Sequence, residues 1–391
     1  MSDRNDVRAD ALRTLGELVA FPTVTGTPNL DLIAYAEARL GAVGADLRRT
    51  VHPSGERANL LATIGPAVDG GVVLSAHTDV VPPDADGWTD PAFAATLRDG
   101  RVYGRGTADM KGFLACAIAM APRFASAGLR VPIQLALTYD EEVGCQGAPL
   151  LIDDLVRHGP VPAVAIVGEP TLFRIVHGHK GCYEYTTTIT GVEGHGSAPA
   201  KGVNAVEWGA RYVDHLLDLA RSLAGAARDD DGYDPHGTTI NVGTISGGTA
   251  RNVVAGSCSI EWEFRPVTAR DAAFVLDDLA AFEAELDAEL RSRSPGASLV
   301  RTVAGEVGGL EPEGAGAAVE LVRGLLDDAE VGVVPFGTEA GLFQEAGIPA
   351  VVCGPGSIDV AHRPDEYLEL EQIDRCLDLL ERLTERLTAP A

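Results

Sequence analysis

Val72-Val73-Leu74-Ser75-Ala76-His77-Thr78-Asp79 opens as an apolar run and ends in an imidazole and a carboxylate. Val72–Ser75 reads as a strand buried on both faces. Ile133–Thr138 and Val164–Val167 repeat the pattern. Between and around them lie stretches with helical periodicity, at Leu30–Leu40, Phe113–Phe124 and Ala148–Arg157. This alternation predicts an α/β fold with a mostly parallel sheet flanked by helices on both faces. In such sheets a ligand sits beyond the carboxyl ends of the strands. The residues that follow each apolar run are therefore the first place to look for chemistry.

The rhythm changes near His179. Cys182–Thr190 alternates as a half-exposed strand should, and a long helix follows at Ala205–Ala224. Strands are expected at Thr238–Ile245 and at Cys258–Arg265. In the latter, Cys258, Ile260, Trp262 and Phe264 share one face, and Ser259, Glu261, Glu263 and Arg265 the other. A second long helix, Arg270–Arg291, precedes a strand near Ser298–Thr302. The order βαββαβ is that of a ferredoxin-like α+β domain. The α/β rhythm then returns, with a buried strand at Ala350–Cys353. The chain thus divides into a catalytic domain in two parts, residues 1–178 and 294–391, and an inserted lid or dimerisation domain, residues 179–293. No fixed-period repeat is present. Asp229-Asp230-Asp231-Gly232 reads as a solvated turn.

A chain of 391 residues with 46% hydrophobic content can build a large core over two domains. The formal net charge of −26 disfavours nucleic acid and anionic membranes as partners. It maintains solubility, and it suits a cationic substrate slightly better than an anionic one. No apolar run is long enough to span a bilayer, and Met1–Asp10 is polar, unlike a signal peptide. A cytoplasmic location is expected. The six cysteines are scattered without a CxxC pair, so buried thiols are expected rather than a zinc knuckle or a dithiol.

Five segments carry the chemistry. They are Ser75–Pro82, Gly104–Gly112, Thr138–Gly144 (with Asp140-Glu141-Glu142), Val167–Thr171, and Gly354–Ser357 followed by Ala361-His362-Arg363-Pro364. Singly, each has an ordinary reading. A histidine at a strand end is usually a hydrogen-bonded structural residue, a Glu-Glu pair is usually solvated, and an Asp before a helix is usually a cap. Together they place imidazoles and carboxylates at successive strand ends of one sheet, where they converge on one cleft. That is the ligand chemistry of a zinc site or a two-metal site.

In this order the segments resemble the dizinc metallopeptidase superfamily of acetylornithine deacetylase, succinyl-diaminopimelate desuccinylase, aminoacylase and glutamate carboxypeptidase, over nearly the whole chain. The resemblance implies that Asp109 bridges two metals, with His77 and Glu169 completing one and Glu142 and His362 the other. Three protein ligands per ion leave a place for a shared water. It implies Zn2+ as the metal, with Co2+ a possible substitute. Asp79 matches a carboxylate that orients the metal-bound imidazole, and Glu141 a general base. The residues alone leave open which of Glu141 and Glu142 binds metal. Phe113 departs from the pattern, since many relatives carry a second glycine there; it touches packing beside the site.

In the inserted domain, Gly194-His195-Gly196-Ser197 resembles a loop whose histidine donates to the scissile carbonyl oxygen. Gly196 stands where relatives usually have serine. Arg251, Asn252 and Arg265 match positions near a substrate carboxylate, which a guanidinium can hold by two parallel hydrogen bonds. His177 and His179 read as structural.

Late in the chain, Gly337-Thr338-Glu339-Ala340 and Gly354-Pro355-Gly356-Ser357 resemble the acetylornithine deacetylase branch; the desuccinylase branch typically has Gly-Thr-Ser-Asp-Gly at the first. Thr338 and Gly356 are candidate substrate contacts, and Glu339 is a candidate for a substrate ammonium or a loop-structural role. The implied reaction is hydrolysis of N-acetylornithine, by a water activated by the metals and Glu141, in a homodimer formed through the inserted domain. Another N-acyl-amino-acid hydrolase or a dipeptidase is the alternative. A non-catalytic binding homologue would be expected to lack Glu141 or a ligand, and none is missing. A two-metal phosphoesterase would draw on similar ligands, but the acidic composition and Arg265 argue against it.

Overall fold

The computed structural model describes residues 2–83, 86–228, 231–312, 314 and 316–388. The chain separates into two compact units. One comprises Met1–Gly178, Pro312–Gly332 and Thr338–Ala391; the other comprises His179–Glu311 and Val333–Gly337.

The first unit is built on an eight-stranded sheet. Its centre is four parallel strands in the order Ile133–Thr138, Val72–His77, Val164–Val167, Ala350–Val352. Every residue of these four strands is buried, as expected of strands covered on both faces. Antiparallel strands extend one side, Ala58–Ile64 and then Asp46–Val51. Ile175–His179 and Val331–Val334 extend the other. The parallel register places His77 opposite Thr138, and Ser75 and Val352 opposite Val167. The carboxyl ends of the four strands therefore lie side by side, each running into one of the segments that carry the chemistry.

The helix Gly112–Ser126 is buried along most of its length, and its residues Phe113 to Ala121 belong to the main core. The C-terminal helix Leu370–Thr388 buries one stripe, including Ile373, Cys376, Leu380, Leu383 and Leu387, at the helical period. A separate three-stranded sheet joins Thr96–Arg98, Arg101–Tyr103 and Tyr367–Glu369. Among the described residues no helix is long and apolar enough to cross a membrane.

The second unit is a four-stranded antiparallel sheet in the order Thr239–Gly247, Ser257–Arg265, Cys182–Thr190, Ser298–Val307. The helices Ala205–Ala226 and Ala269–Arg293 are capped by Asn204 and Thr268, which accept from the N–H groups of Val206 and Asp271. Both pack on the face that carries Cys258, Ile260, Trp262 and Phe264, forming a core of its own. The sequence division closed the inserted domain at residue 293. The strand Ser298–Val307 pairs along the whole of Cys182–Thr190, so the second unit extends to Glu311. In the turn read at Asp229–Gly232, Asp229 and Asp230 lie outside the described residues. The Asp231 carboxylate accepts from the N–H groups of Tyr233 and Gly237 and from His236.

Candidate active site

His77 ends its strand almost fully buried, at 1% exposure. Its Nδ1 donates to the main-chain carbonyl of Asp79 at 2.8 Å, which leaves Nε2 to face Asp109 Oδ1 at 2.9 Å. Glu169 Oε1 lies 3.8 Å from the same Nε2. On the other side of Asp109, His362 Nε2 is 3.3 Å from Oδ2 and 3.0 Å from Glu142 Oε2. Asp109 thus turns one oxygen to each histidine. Ligand atoms of His77, Asp109 and Glu142, and of His77, Glu141 and Glu169, converge within 4.8 Å of one another.

The electrostatics are those of a site built around positive charge. Burial, reinforced by neighbouring carboxylates, pushes the Glu141 and Glu169 carboxyls well above their usual range, and burial also raises Glu142. Burial opposes charge on Asp109 as well, but hydrogen bonds from His362 and His77 outweigh it and hold its carboxyl low. Burial likewise opposes the His77 imidazolium, yet Asp109 and Glu169 overcome this and raise its pKa. Hydrogen bonds to Asp109 and Glu142 raise His362 to about 10. Four carboxylates this close are mutually repulsive unless protons or cations intervene. A mixed imidazole and carboxylate donor set, arranged on two sides of one aspartate, fits a pair of divalent cations.

Asp79 acts differently from its expected role. Its carboxylate Oδ1 is 3.7 Å from the His77 ring, and the main-chain carbonyl takes the imidazole hydrogen instead. The carboxylate accepts from the N–H groups of Glu141 at 3.1 Å and Glu142 at 3.3 Å, and from the Thr25 hydroxyl at 3.0 Å. It therefore caps the short turn Glu141–Val143 and aims both glutamates. Preceding that turn, buried Asp140 sits at a positive φ of 53°. It accepts from the Gly26 N–H at 2.9 Å and pairs with Arg57.

Thr338 is buried and its hydroxyl accepts from the Ala340 N–H, opening the helix Ala340–Glu345. Glu339 turns inward, where it accepts from the hydroxyls of Ser75 and Thr138 on two parallel strands. Each of its carboxylate oxygens thus takes one hydroxyl donor from the sheet, which supports the loop-structural reading over contact with a substrate ammonium. The Gly356 N–H donates to Gln372, so it is not free for a substrate in this structure.

In the second unit His195 is exposed, on a two-residue strand paired with Val253–Val254. Its Nδ1 faces the Ser197 hydroxyl at 2.7 Å and the Ser197 N–H at 3.2 Å, so Nε2 is the ring nitrogen turned away from this turn. Gly196 packs against Asn252, whose main-chain atoms would lie 2.8 Å from an added Cβ. The missing serine side chain thus has no room there. Arg251 and Asn252 are exposed in the same loop, while Arg265 pairs with Glu263 at 3.0 Å. His179 is buried with its pKa lowered to about 4 by desolvation, and neither it nor His177 belongs to the cluster.

Sequence reasoning takes Cys145 for an ordinary buried thiol and assigns no role to Glu366. Cys145 Sγ donates to Glu141 Oε1 at 3.6 Å. Glu366 holds the loop that carries Asp109. Glu366 has no local signal, because its partners Ala108 and Asp109 are brought near only by the fold, and Cys145 meets Glu141 only through the turn between them.

Two histidines ranged about a buried aspartate, with further carboxylates at the carboxyl ends of the parallel strands, fit a metal-dependent hydrolase. Residues 73–386 match peptidase family M20/M25/M40, and the chain belongs to that family. It is 38% identical over 383 residues to an acetylornithine deacetylase of Myxococcus xanthus, covering 95% of this chain and 96% of that protein. The fold is similar to that of a tripeptidase from Staphylococcus aureus, with a TM-score of 0.74 and 21% identity over 97% of this chain and 98% of that one. It is also similar to a dinuclear metal-binding peptidase of the M20 family from Bacillus subtilis, with a TM-score of 0.63 and 14% identity over 97% of each chain.

Proposed function

We propose that this enzyme hydrolyses N-acetylornithine to ornithine and acetate. The observation that carries the chemistry is Asp109, which presents one oxygen to His77 and the other to His362. The substrate reading draws on likeness to an acetylornithine deacetylase along 95% of the chain, together with Gly337-Thr338-Glu339-Ala340.

In this reading His77, Asp109 and Glu169 would hold one divalent cation, and Asp109, Glu142 and His362 the other, with zinc the proposed metal and cobalt a substitute. Bound there, the two cations supply Lewis acidity, which acidifies a water and polarises the acetyl carbonyl. Glu141 accepts the proton of the attacking water. The water oxygen bonds to the acetyl carbon, the carbon–nitrogen bond breaks, and Glu141 delivers its proton to the departing amine. Asp79 keeps Glu141 and Glu142 in their separate directions through its bonds to both N–H groups. His195, from the partner subunit of a homodimer formed through the inserted domain, donates Nε2–H to the oxyanion. Arg251, Asn252 and Arg265 are the candidate contacts for the substrate carboxylate.

The test is a panel of N-acetylornithine, N-succinyl-diaminopimelate, N-acetylmethionine and a glycine-containing dipeptide. N-acetylornithine should give the highest kcat/KM. A tenfold preference needs only about 1.4 kcal/mol of differential transition-state binding, so slower turnover of the others is compatible. Hydrolysis of the succinyl compound without hydrolysis of N-acetylornithine would overturn the substrate assignment.

A further inference from the structure

We infer that Glu366 is the positioning residue that locks the Asp109 turn and the His362 segment into one register, so that both sides of the metal cluster form together; this rests on the ligand reading above. Glu366 is 1% exposed. Its Oε1 accepts from the N–H groups of Ala108 at 2.9 Å and Asp109 at 3.1 Å. Its Oε2 accepts from the Gly106 N–H at 3.0 Å and from the Arg105 guanidinium at 2.7 Å. One carboxylate thus gathers three main-chain donors of a single turn and a buried cation, all as charge-assisted bonds.

The turn needs such an acceptor. Gly106 has a φ of +83°, and Asp109 leaves helical geometry at φ −120° and ψ 94°. Its N–H groups consequently point inward rather than along a regular ladder. A buried main-chain donor without a partner is rare in folded proteins, and a turn deprived of its acceptor relaxes toward other ones. Any such relaxation rotates the Asp109 carboxylate, whose two oxygens must face two different histidines.

The chain around Glu366 ties the same two segments together. The Gly104 N–H donates to the Glu366 carbonyl at 2.9 Å. Immediately afterwards Tyr367, Leu368 and Glu369 pair antiparallel with Tyr103, Val102 and Arg101. His362 stands four residues before Glu366, and Arg105 Nη1 reaches the Arg363 carbonyl at 3.4 Å. Arg105 itself is buried against the Trp88 ring. The small sheet and the Glu366 carboxylate form one clasp, with Asp109 at one end and His362 at the other.

Glu366→Gln tests this. Either amide orientation sets an NH2 group against N–H donors. In purified protein kept well below its unfolding temperature, Zn2+ affinity is measured by competition with a chromophoric chelator. The dissociation constants should rise about 10- to 100-fold, as when groups that orient metal ligands are changed. At saturating zinc, kcat should fall with KM near the wild-type value. Wild-type zinc affinity in a variant that has merely lost thermal stability would reduce Glu366 to a structural role. If Glu366→Gln is not recovered folded, Glu366→Asp, which keeps the charge but draws the oxygens back, is read in the same way. Asp109→Asn and His362→Ala serve as controls. Unchanged zinc affinity in these would mean that the ligand reading fails. Weakened affinity in the controls, with none in the Glu366 variants, would overturn this inference alone.

Discussion

Glu141 and Glu142 are neighbours in the chain, yet the turn they open sends their carboxylates to different partners. Glu142 meets His362 at 3.0 Å, whereas Glu141 meets the Cys145 thiol. Their exchange would be invisible to composition, so mutation must separate them. Glu141→Gln should keep both metals and lose activity by about 10²-fold or more, because an amide cannot take the water's proton. Asp109→Asn should lose metal as well as activity, since a neutral amide is a poor bridge between two dications. Elemental analysis of both purified variants gives the answer, and equal metal loss would mean the two glutamates have exchanged roles. His77, the Glu141-Glu142 pair and Glu169 stand out as candidates because they follow apolar strands, whereas Asp109, His362 and the sorting of the two glutamates rest on the family resemblance. The task of Asp79 was not legible, because the His-x-Asp spacing is compatible with either its carboxylate or its carbonyl facing the ring. The backbone turn after His77 decides for the carbonyl. Glu366 was harder still, as its partner Ala108 lies 258 residues earlier in the chain.

At the scale of elements, the helix Gly112–Ser126 meets the end of the strand Val164–Val167 through Phe113 and Gly168. A Cβ on Gly168 would lie 2.1 Å from two atoms of the Phe113 ring. The bulky residue at position 113, where many relatives carry glycine, is thus accommodated by a glycine immediately before Glu169. Gly168→Ala should cost about 1–3 kcal/mol through overpacking, and should lower metal content by displacing Glu169. Adding Phe113→Ala should restore metal content, although it leaves a cavity of its own. Thermal unfolding and metal analysis of the single and double variants measure the coupling. A double variant no better than Gly168→Ala would break the link between this contact and the site. Central elements were readable for the same reason that this contact is tight. Val164–Val167 is a continuous apolar run and Ile133–Thr138 is interrupted only by Gln134 before its final Thr138, because both faces of each strand are buried. The edge strand Asp46–Val51 carries Arg48 and Arg49 and has no buried residue, so nothing in its pattern announced it. Ser298–Val307 was read only to Thr302 because its register shifts between Val303 and Gly305, which breaks the alternation.

At the scale of the whole molecule, the first unit is assembled from three stretches of chain, and His362 reaches the cluster only after the chain has built the second unit. Glu141 belongs to the first unit and His195 to the second. The change of period near His179 made this interrupted order legible. The partner of the exposed loop was not, since it concerns a second chain and rests on resemblance. If His195 serves the cleft of its partner subunit, two inactive variants should repair each other. His195→Ala should keep its metals and lose kcat, because a donor to the oxyanion acts mainly in the transition state. Glu141→Ala should be inactive within its own catalytic domain. When the two are mixed and subunits exchange, random pairing makes about half the dimers mixed under twofold symmetry. Each mixed dimer then has one cleft with both wild-type groups and one with neither. About a quarter of wild-type activity should return, that is, half the dimers times one of two sites. The measurement is activity against time after mixing, with exchange followed independently by a tag on one variant. Confirmed exchange with no return of activity would place His195 in its own subunit's cleft or leave it a structural residue of the loop.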